Sequence, residues 1–368
     1  MKLTIVAGAR PNFMKIAPII HAINNSKKLG GEIQYRLVHT GQHYDQIMSD
    51  TFFNELNIPL PDSNLNCSGG TQTEQTCNIM NAFEKELIEN PTDLVIVVGD
   101  VNSTMACSIV AKKLNIKVAH VEAGIRSWDL SMPEEINRMV TDSLTDFFFT
   151  TSETANQNLR NIGVGEERIF FVGNVMVDTL LANISKLTKP SIFDQLNLCN
   201  KNYLVLTMHR PSNVDAVEKL RAMLLEIVSN SREMPIIFPI HPRTFGVLKE
   251  LQLSAENLHI IQPLGYLEFN YLVKNSKAVI TDSGGITEEA TMLNVPCITL
   301  RDNTERPETV TVGTNELIGS EPSAIKPAFD KLFDGKWKEG NVPELWDGQS
   351  AQRIVKCIIE VIALEIWN

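Results

Sequence analysis

The feature that most constrains this chain is a repeated alternation. Short apolar runs stand at Leu3 to Ala7, Ile33 to His39, Leu94 to Val98, Lys117 to Val121 and Phe147 to Thr150, and most are followed by a helical pattern. Leu94-Val-Ile-Val-Val98 has no polar residue on either face, as expected of a strand in a parallel sheet covered on both sides. Strands alternating with helices predict βα units and a doubly wound sheet. After a polar, proline-containing stretch from Lys186 to Asn202 the alternation restarts, with strands at Tyr203 to Met208, Ile236 to Ile240, His259 to Ile261 and Ala278 to Ile280. A chain of 368 residues is too long for one small core. The reading is an α/β protein with one doubly wound domain at 1–175 and a second at 176–351. The last apolar segment, about 352–368, has no strand to cover and is predicted to pack back on the first domain as a helix. Between strands, Tyr44 to Leu56 reads as a helix and Asn57 to Thr71 as a loop.

Open parallel sheets bind ligands at the carboxyl ends of their strands. In the first half those ends carry Arg10, Asp100 and Glu122; in the second, His209, His241 and the turn Asp282-Ser-Gly-Gly285. Two glycines let the backbone approach a ligand and aim successive N–H groups into one concavity. The helix that begins there adds its positive end. Ser283, Gly284 and Gly285 therefore suit a phosphate, with an ordinary N-cap serine as the plain alternative. Glu288 and Glu289, a few residues further, suit sugar hydroxyls, and Arg306 adds a fixed positive fork. Together they point to a phosphorylated sugar or a nucleotide.

Arg10 and Lys15 flank a glycine-containing turn at a helix start and suit phosphate or a developing anion; a solvated first turn is the alternative. Asp100 and Glu122 end apolar runs, where a carboxylate is costly unless paired or used. Glu134 and Arg138 stand four apart and share a helix face, with Glu135 directed off it; in isolation this reads as an exposed ion pair. His209 and His241 could act as acid or base, or donate to a phosphate oxygen.

The bulk numbers exclude several classes. A net charge of −11 argues against a nucleic-acid partner, so cations for an anionic ligand must be local. Six cysteines, at 67, 77, 107, 199, 297 and 357, form no Cys-x-x-Cys and read as reduced, mostly packed thiols in a cytosol. The histidines show no His-Glu-x-x-His spacing, so no metal site is expected. The first residues run straight into a strand, so no leader is expected, and no apolar run approaches the roughly 20 residues that cross a bilayer. There is no Walker motif and no Gly-x-Gly-x-x-Gly after a strand, so an NAD site is not supported and no cofactor is expected.

Eight segments together resemble the non-hydrolysing UDP-N-acetylglucosamine 2-epimerases. They are Gly8-Ala-Arg-Pro-Asn-Phe-Met-Lys15, His39-Thr-Gly-Gln-His43, Val98-Gly-Asp100, His120-Val-Glu-Ala-Gly-Ile-Arg126, Pro133-Glu-Glu-Ile-Asn-Arg138, Thr207-Met-His-Arg210, Thr281-Asp-Ser-Gly-Gly-Ile-Thr-Glu-Glu289 and Thr304-Glu-Arg-Pro-Glu308. They lie in order over residues 1 to about 320. The resemblance implies a GT-B fold, two Rossmann-like domains facing across a deep cleft, a homodimer, and interconversion of UDP-GlcNAc and UDP-ManNAc for surface polysaccharide. It further implies that Ser283, Gly284 and Gly285 hold the diphosphate, Glu289 the ribose hydroxyls, and that Phe269 lies by the uracil. Arg10, Arg138, His209 and Arg306 would hold UDP and its leaving charge; Asp100, Glu122 and Glu134 would be the acid–base groups. Gln42 and Gln72 match positions where many bacterial members bind a second, activating UDP-GlcNAc. Those members carry an arginine where this chain has Thr71, which implies weak or absent activation here.

The chemistry fits the resemblance. The proton on carbon 2 of the sugar has no neighbouring carbonyl to acidify it. One route oxidises transiently with NAD; the other eliminates UDP to a glucal and adds it back with the proton on the opposite face. Elimination needs a cationic hold on UDP and carboxylates near carbon 2. A GT-B glycosyltransferase, a hydrolysing epimerase and a UDP-sugar-binding regulator are the rival readings. UDP-2,3-diacetamido glucuronate and 6-deoxy amino sugars are the rival substrates.

Overall fold

The computed structural model describes residues 1–28, 33–42, 53, 55–240, 255–363 and 365. The helix read at Tyr44 to Leu56 lies almost wholly outside the described residues. The chain divides into two compact units, Met1–Ala182 with Glu344–Asn368, and Asn183–Pro343.

The first unit is built on β1 (Lys2–Ala7), β2 (Gln34–His39), β3 (Ser63–Asn64), β4 (Leu94–Val98), β5 (Lys117–Val121), β6 (Phe147–Thr150) and β7 (Ile169–Phe171). All pair in parallel, in the order β3-β2-β1-β4-β5-β6-β7. Every residue of β4 is buried, as a strand covered on both faces requires. Its helices are α1 (Arg10–Lys28), α2 (Gln72–Glu89), α3 (Asn102–Lys113), α4 (Pro133–Leu144), α5 (Glu153–Asn161) and α6 (Val175–Asn183). The strands β3 and β7 went unread in the sequence.

The second unit repeats the plan with β8 (Leu204–Thr207), β9 (Ile236–Pro239), β10 (Leu258–Ile261), β11 (Ala278–Thr281), β12 (Cys297–Thr299) and β13 (Asn315–Leu317), in the order β10-β9-β8-β11-β12-β13. Its helices include α7 (Ser191–Gln195), α8 (Pro211–Val214), α9 (Val217–Asn230), α10 (Tyr266–Asn275), α11 (Gly284–Met292), α12 (Pro307–Thr311) and α13 (Ile325–Phe333). Alternate residues of β8 serve opposite faces. Leu204 and Leu206 pack with Leu220 and Leu224 of α9 and Phe329 of α13, whereas Val205 packs with Leu272 and Val273 of α10.

The chain returns to the first unit through α14 (Ser350–Cys357), which packs on α1. Nothing in its own flanking sequence caps this helix. Asp178 of α6 does so instead, accepting from the Ser350 and Ala351 amides at 3.1 and 2.7 Å. Trp346 is fully buried just upstream, its indole N–H donating to the Thr151 carbonyl at 3.2 Å.

Candidate active site

In both sheets the strand order reverses beside the first strand, between β1 and β4 and between β8 and β11. At such a crossover the loops splay and leave room for a ligand. Each crossover in this chain gathers sequence-predicted residues.

The first crossover is anchored by Asn12. Its Oδ1 accepts from the Gly8 and Ala9 amides, each at 2.9 Å, and its Nδ2 donates to the Val98 carbonyl at 3.1 Å. This ties the start of α1 to the end of β4 and sets Lys15 one turn further on. Lys15 is buried, and its Nζ pairs with the buried carboxylate of Glu122. Glu122 holds φ at +71°, a conformation that L side chains adopt at a cost. Gly99 makes the pair possible: at φ +67°, a Cβ there would stand 2.7 Å from Lys15 Nζ and 3.4 Å from Glu122 Oε2. Arg10 opens α1, but its side chain lies outside what the structure describes.

Asp100 follows Gly99 and receives Arg138 Nη1 at 2.5 Å. Arg138 is 1 % exposed, and its Nε and Nη2 donate to Glu135 at 2.9 and 2.6 Å. Here the structure corrects the reading of α4. The carboxylate that pairs with Arg138 is Glu135, three residues away and fully buried, while Glu134 stands exposed in the first turn. The cause is the loop before the helix. The amides of Ser127 and Trp128 need an acceptor and find Glu135 at 3.0 and 3.1 Å. Burial works against ionisation of Glu135, but these amides and the Arg138 charge hold its carboxyl below the ordinary range. A glutamate at the third helical position, where a side chain reaches back to preceding amides, was the available signal.

Beneath these groups His120 joins the strand ends. Its Nε2 meets the Gly99 carbonyl at 2.8 Å and its Nδ1 meets Asp142 at 2.7 Å. Asp142 also binds Arg126 at 2.6 Å and the Gly124 amide at 3.0 Å. Burial opposes its charge, yet His120 and then Arg126 hold its carboxyl below the usual value. Sequence reading missed Asp142, which lies within a helix.

Gln42 and Gln72 are tied into the same unit. Gln42 accepts from the Ser103 amide and hydroxyl at 3.0 and 2.7 Å. Gln72 accepts from Asn102 at 2.7 Å, Asn102 accepts from Asn137 at 3.1 Å, and Asn137 donates to the Asp100 carbonyl at 2.9 Å. Thr71 caps α2 through a reciprocal box with Glu74.

The second crossover is organised by Asp282, which is fully buried. Its carboxylate accepts from the His209 amide at 3.1 Å, the Arg210 amide at 2.9 Å, Asn213 Nδ2 at 3.2 Å and His209 Nδ1 at 2.9 Å. Burial opposes this charge too, but the His209 bond leads the contacts that hold the Asp282 carboxyl below its usual value. Ser283 stands at the cap position of α11, yet its side chain makes no capping bond, so the first amides of the helix point outward without one. Gly284 lets two side chains close in: a Cβ there would meet Glu305 Oε1 at 2.6 Å and Arg306 Nη1 at 3.5 Å. Arg306 is buried, paired with Glu288 through Nε and with Glu305 at 3.2 Å. Glu288 is therefore a partner of Arg306, which corrects its reading as a sugar-hydroxyl acceptor. Burial, with Glu288 adding its charge, pushes the carboxyl of Glu289 up to about 7, against hydrogen bonds from Asn270 and Tyr266. Phe269 is half-buried on α10 against the core. His241 lies outside the described residues. Among the described residues no group of His, Cys, Asp and Glu could hold a metal ion, and no helix is long and apolar enough to cross a membrane.

Two Rossmann-like domains, each with polar groups gathered at its crossover, define a GT-B-type protein. A family model described as UDP-N-acetylglucosamine 2-epimerase matches residues 26–359. The chain belongs to the UDP-N-acetylglucosamine 2-epimerase family, whose members are isomerases. It is 43% identical to the UDP-N-acetylglucosamine 2-epimerase of Methanocaldococcus jannaschii, over 97% of this chain and 99% of that protein. It is 40% identical to the UDP-2,3-diacetamido-2,3-dideoxy-D-glucuronate 2-epimerase of Pseudomonas aeruginosa, over 98% and 100%. The M. jannaschii enzyme in complex with UDP-GlcNAc and UDP superposes with a TM-score of 0.88, covering 97% of this chain and 99% of that one. The Neisseria meningitidis enzyme bound to UDP-GlcNAc, 30% identical, gives 0.87 over 98% and 100%.

Proposed function

We propose that this chain interconverts UDP-GlcNAc and UDP-ManNAc by eliminating UDP and adding it back, without an added cofactor, as a cytoplasmic homodimer. The observation that carries this reading is the division of labour between the crossovers. The first presents carboxylates held by buried cations, Glu122 by Lys15 and Asp100 by Arg138. The second presents a helix start that the Ser283 side chain leaves uncapped, beside Arg306, Arg210 and His209. In this reading the amides of Gly284 and Gly285, with Ser283, hold the diphosphate, and Glu289 accepts from the ribose. Phe269 flanks the uracil, and His209, Arg10 and Arg306 stabilise the departing UDP. Asp100, Glu122 and Glu134 move the carbon 2 proton on the two faces. Incubation with UDP-GlcNAc alone tests it: the manno epimer is expected, whereas free UDP with free sugar, binding without reaction, or no binding contradicts it. The relative from P. aeruginosa at 40% identity supports a second reading, a 2,3-diacetamido glucuronate substrate. A panel of UDP-amino sugars ranked by kcat/KM decides between the two.

A further inference from the structure

His209 is half exposed, yet its ring is held from one side only. Nδ1 lies 2.9 Å from Asp282 Oδ1, while among the described residues no bond to Nε2 is seen. Asp282 is fully buried and its two oxygens are not equivalent. Oδ2 accepts from the Arg210 amide and from Asn213 Nδ2 at 2.9 and 3.2 Å, and Oδ1 is the one that faces the imidazole. Asn213 is itself pinned to the Leu300 carbonyl at 3.1 Å, and Arg210 Nε to the Asp282 carbonyl at 2.9 Å. The acceptor that meets His209 thus cannot rotate away without breaking its bonds to the His209 and Arg210 amides and to Asn213.

We propose that Asp282 is a positioning residue that holds His209 in its Nδ1–H form, directs Nε2 outward, and stabilises the imidazolium that donates to the UDP phosphate as it leaves. The idea rests on the proposed function for what His209 does, but not for the state in which Asp282 holds it. A carboxylate can only accept, so the nitrogen that faces it must carry a proton in both the neutral and the charged ring. Proton balance is simple: the Nε2 proton is shared with a departing phosphate oxygen and returns to Nε2 when UDP adds back. Among the described residues, the other charged groups that the structure ties to this corner are Arg210, next to the ring, and Glu305, 3.9 Å from Arg210 and shared with Arg301 and Arg306. They leave Asp282 as the one anion bonded to the imidazole among the described residues. Burial opposes the charge on that anion, but the His209 ring, the Arg210 amide and Asn213 Nδ2 outweigh it and hold the carboxyl below its usual value, which supports this role.

Asp282→Asn is the informative change. The amide oxygen will keep the Oδ2 position, where the His209 and Arg210 amides and Asn213 Nδ2 await it, so the NH2 must face Nδ1 and force the other tautomer. Nitrogen-15 spectra of histidine-labelled protein, with His209 assigned by its absence in His209→Gln, read this without substrate. The wild type should show the Nδ1–H pattern, and Asp282→Asn should show Nε2–H. In turnover assays kcat should fall on the order of 10²-fold or more, its pH profile should change, and KM should stay within about threefold. An unchanged tautomer and pH profile, with activity lost only in step with melting temperature, would overturn the proposal. If Asp282→Asn does not fold, the wild-type spectrum still decides, because an Nε2–H pattern is incompatible with it. A wild type that shows the Nδ1–H pattern but no epimerisation would refute the proposed function and leave the pairing standing.

Discussion

The two crossovers divide at the level of single residues, and the division can be measured. Ser283→Ala should weaken UDP binding by about 1–2 kcal/mol with kcat changed less, since a hydroxyl beside the α11 amides is lost. Glu122→Gln should lower kcat by roughly 10²- to 10⁴-fold and leave UDP affinity within about threefold. Titration calorimetry with UDP separates them, and a large affinity loss in Glu122→Gln would remove the division. Arg306→Ala is a poorer probe, because it removes a buried cation that pairs with both Glu288 and Glu305 and costs stability as well as binding. Glu289 gives a pH signature. With its carboxyl pushed up to about 7, the free protein is protonated there below that pH and ionised above it. Ribose hydroxyls favour the ionised acceptor, so affinity should rise with pH and level off above 7. At pH 6 only about one site in ten is ionised, and binding should be about tenfold weaker than at pH 8. UDP-GlcNAc bound to the inactive Glu122→Gln protein is the right probe, since its diphosphate does not titrate in this range. Glu289→Gln should flatten the profile; an unaltered slope would place the titration elsewhere. For stability the sign is opposite: a raised carboxyl pKa favours the fold at low pH, and that contribution fades as pH rises through 7.

At the scale of elements, the acid half depends on how α4 is anchored. Glu135 grips the preceding loop and Arg138, and Arg138 holds Asp100, so the helix transmits a fixed geometry to a half-exposed carboxylate. Arg138→Lys keeps the charge but cannot span both partners. It should cut kcat at least tenfold while UDP affinity, measured by calorimetry, stays near the wild type; equal loss of both would make Arg138 a ligand for UDP instead. At the start of α2, Thr71 serves as a cap, so Thr71→Ala should cost about 1 kcal/mol in thermal unfolding. That employment agrees with its not binding a second UDP-GlcNAc, and reverse epimerisation of UDP-ManNAc should need no added UDP-GlcNAc. Much of this was legible in the sequence. A carboxylate ending an apolar run, as at Asp100 and Glu122, or a glycine pair opening a helix, is a local signal. The strands β3 and β7 were not, because edge strands of two or three residues leave no periodicity. Asp142 was missed, and the part Asp282 plays went unread, for another reason. They act through partners: Asp282 bonds a histidine 73 residues away, and Asp142 one 22 away. Spacing in sequence carries no trace of such pairs.

For the whole molecule, the two sheets have the same crossover plan but opposite equipment. Arg10-Pro11-Asn12 and Arg210-Pro211-Ser212-Asn213 mark the same place in each. Asn12 bonds the Val98 carbonyl, and Asn213 bonds the Leu300 carbonyl, so each asparagine ties a helix start to the far side of its crossover. One copy then gathers acids over buried cations; the other gathers donors for an anion. That pairing is what an elimination at carbon 1 and carbon 2 of a UDP-sugar requires, and the most direct test follows the atoms. Turnover in D2O of UDP-GlcNAc carrying oxygen-18 in the bridge between carbon 1 and phosphorus should place deuterium at carbon 2 of both epimers and nowhere else on the ring. The oxygen-18 should scramble into non-bridging phosphate positions, and slow leakage should release UDP with 2-acetamidoglucal. Epimerisation with the bridge oxygen unscrambled, and NAD bound to the purified protein, would contradict elimination and point to transient oxidation.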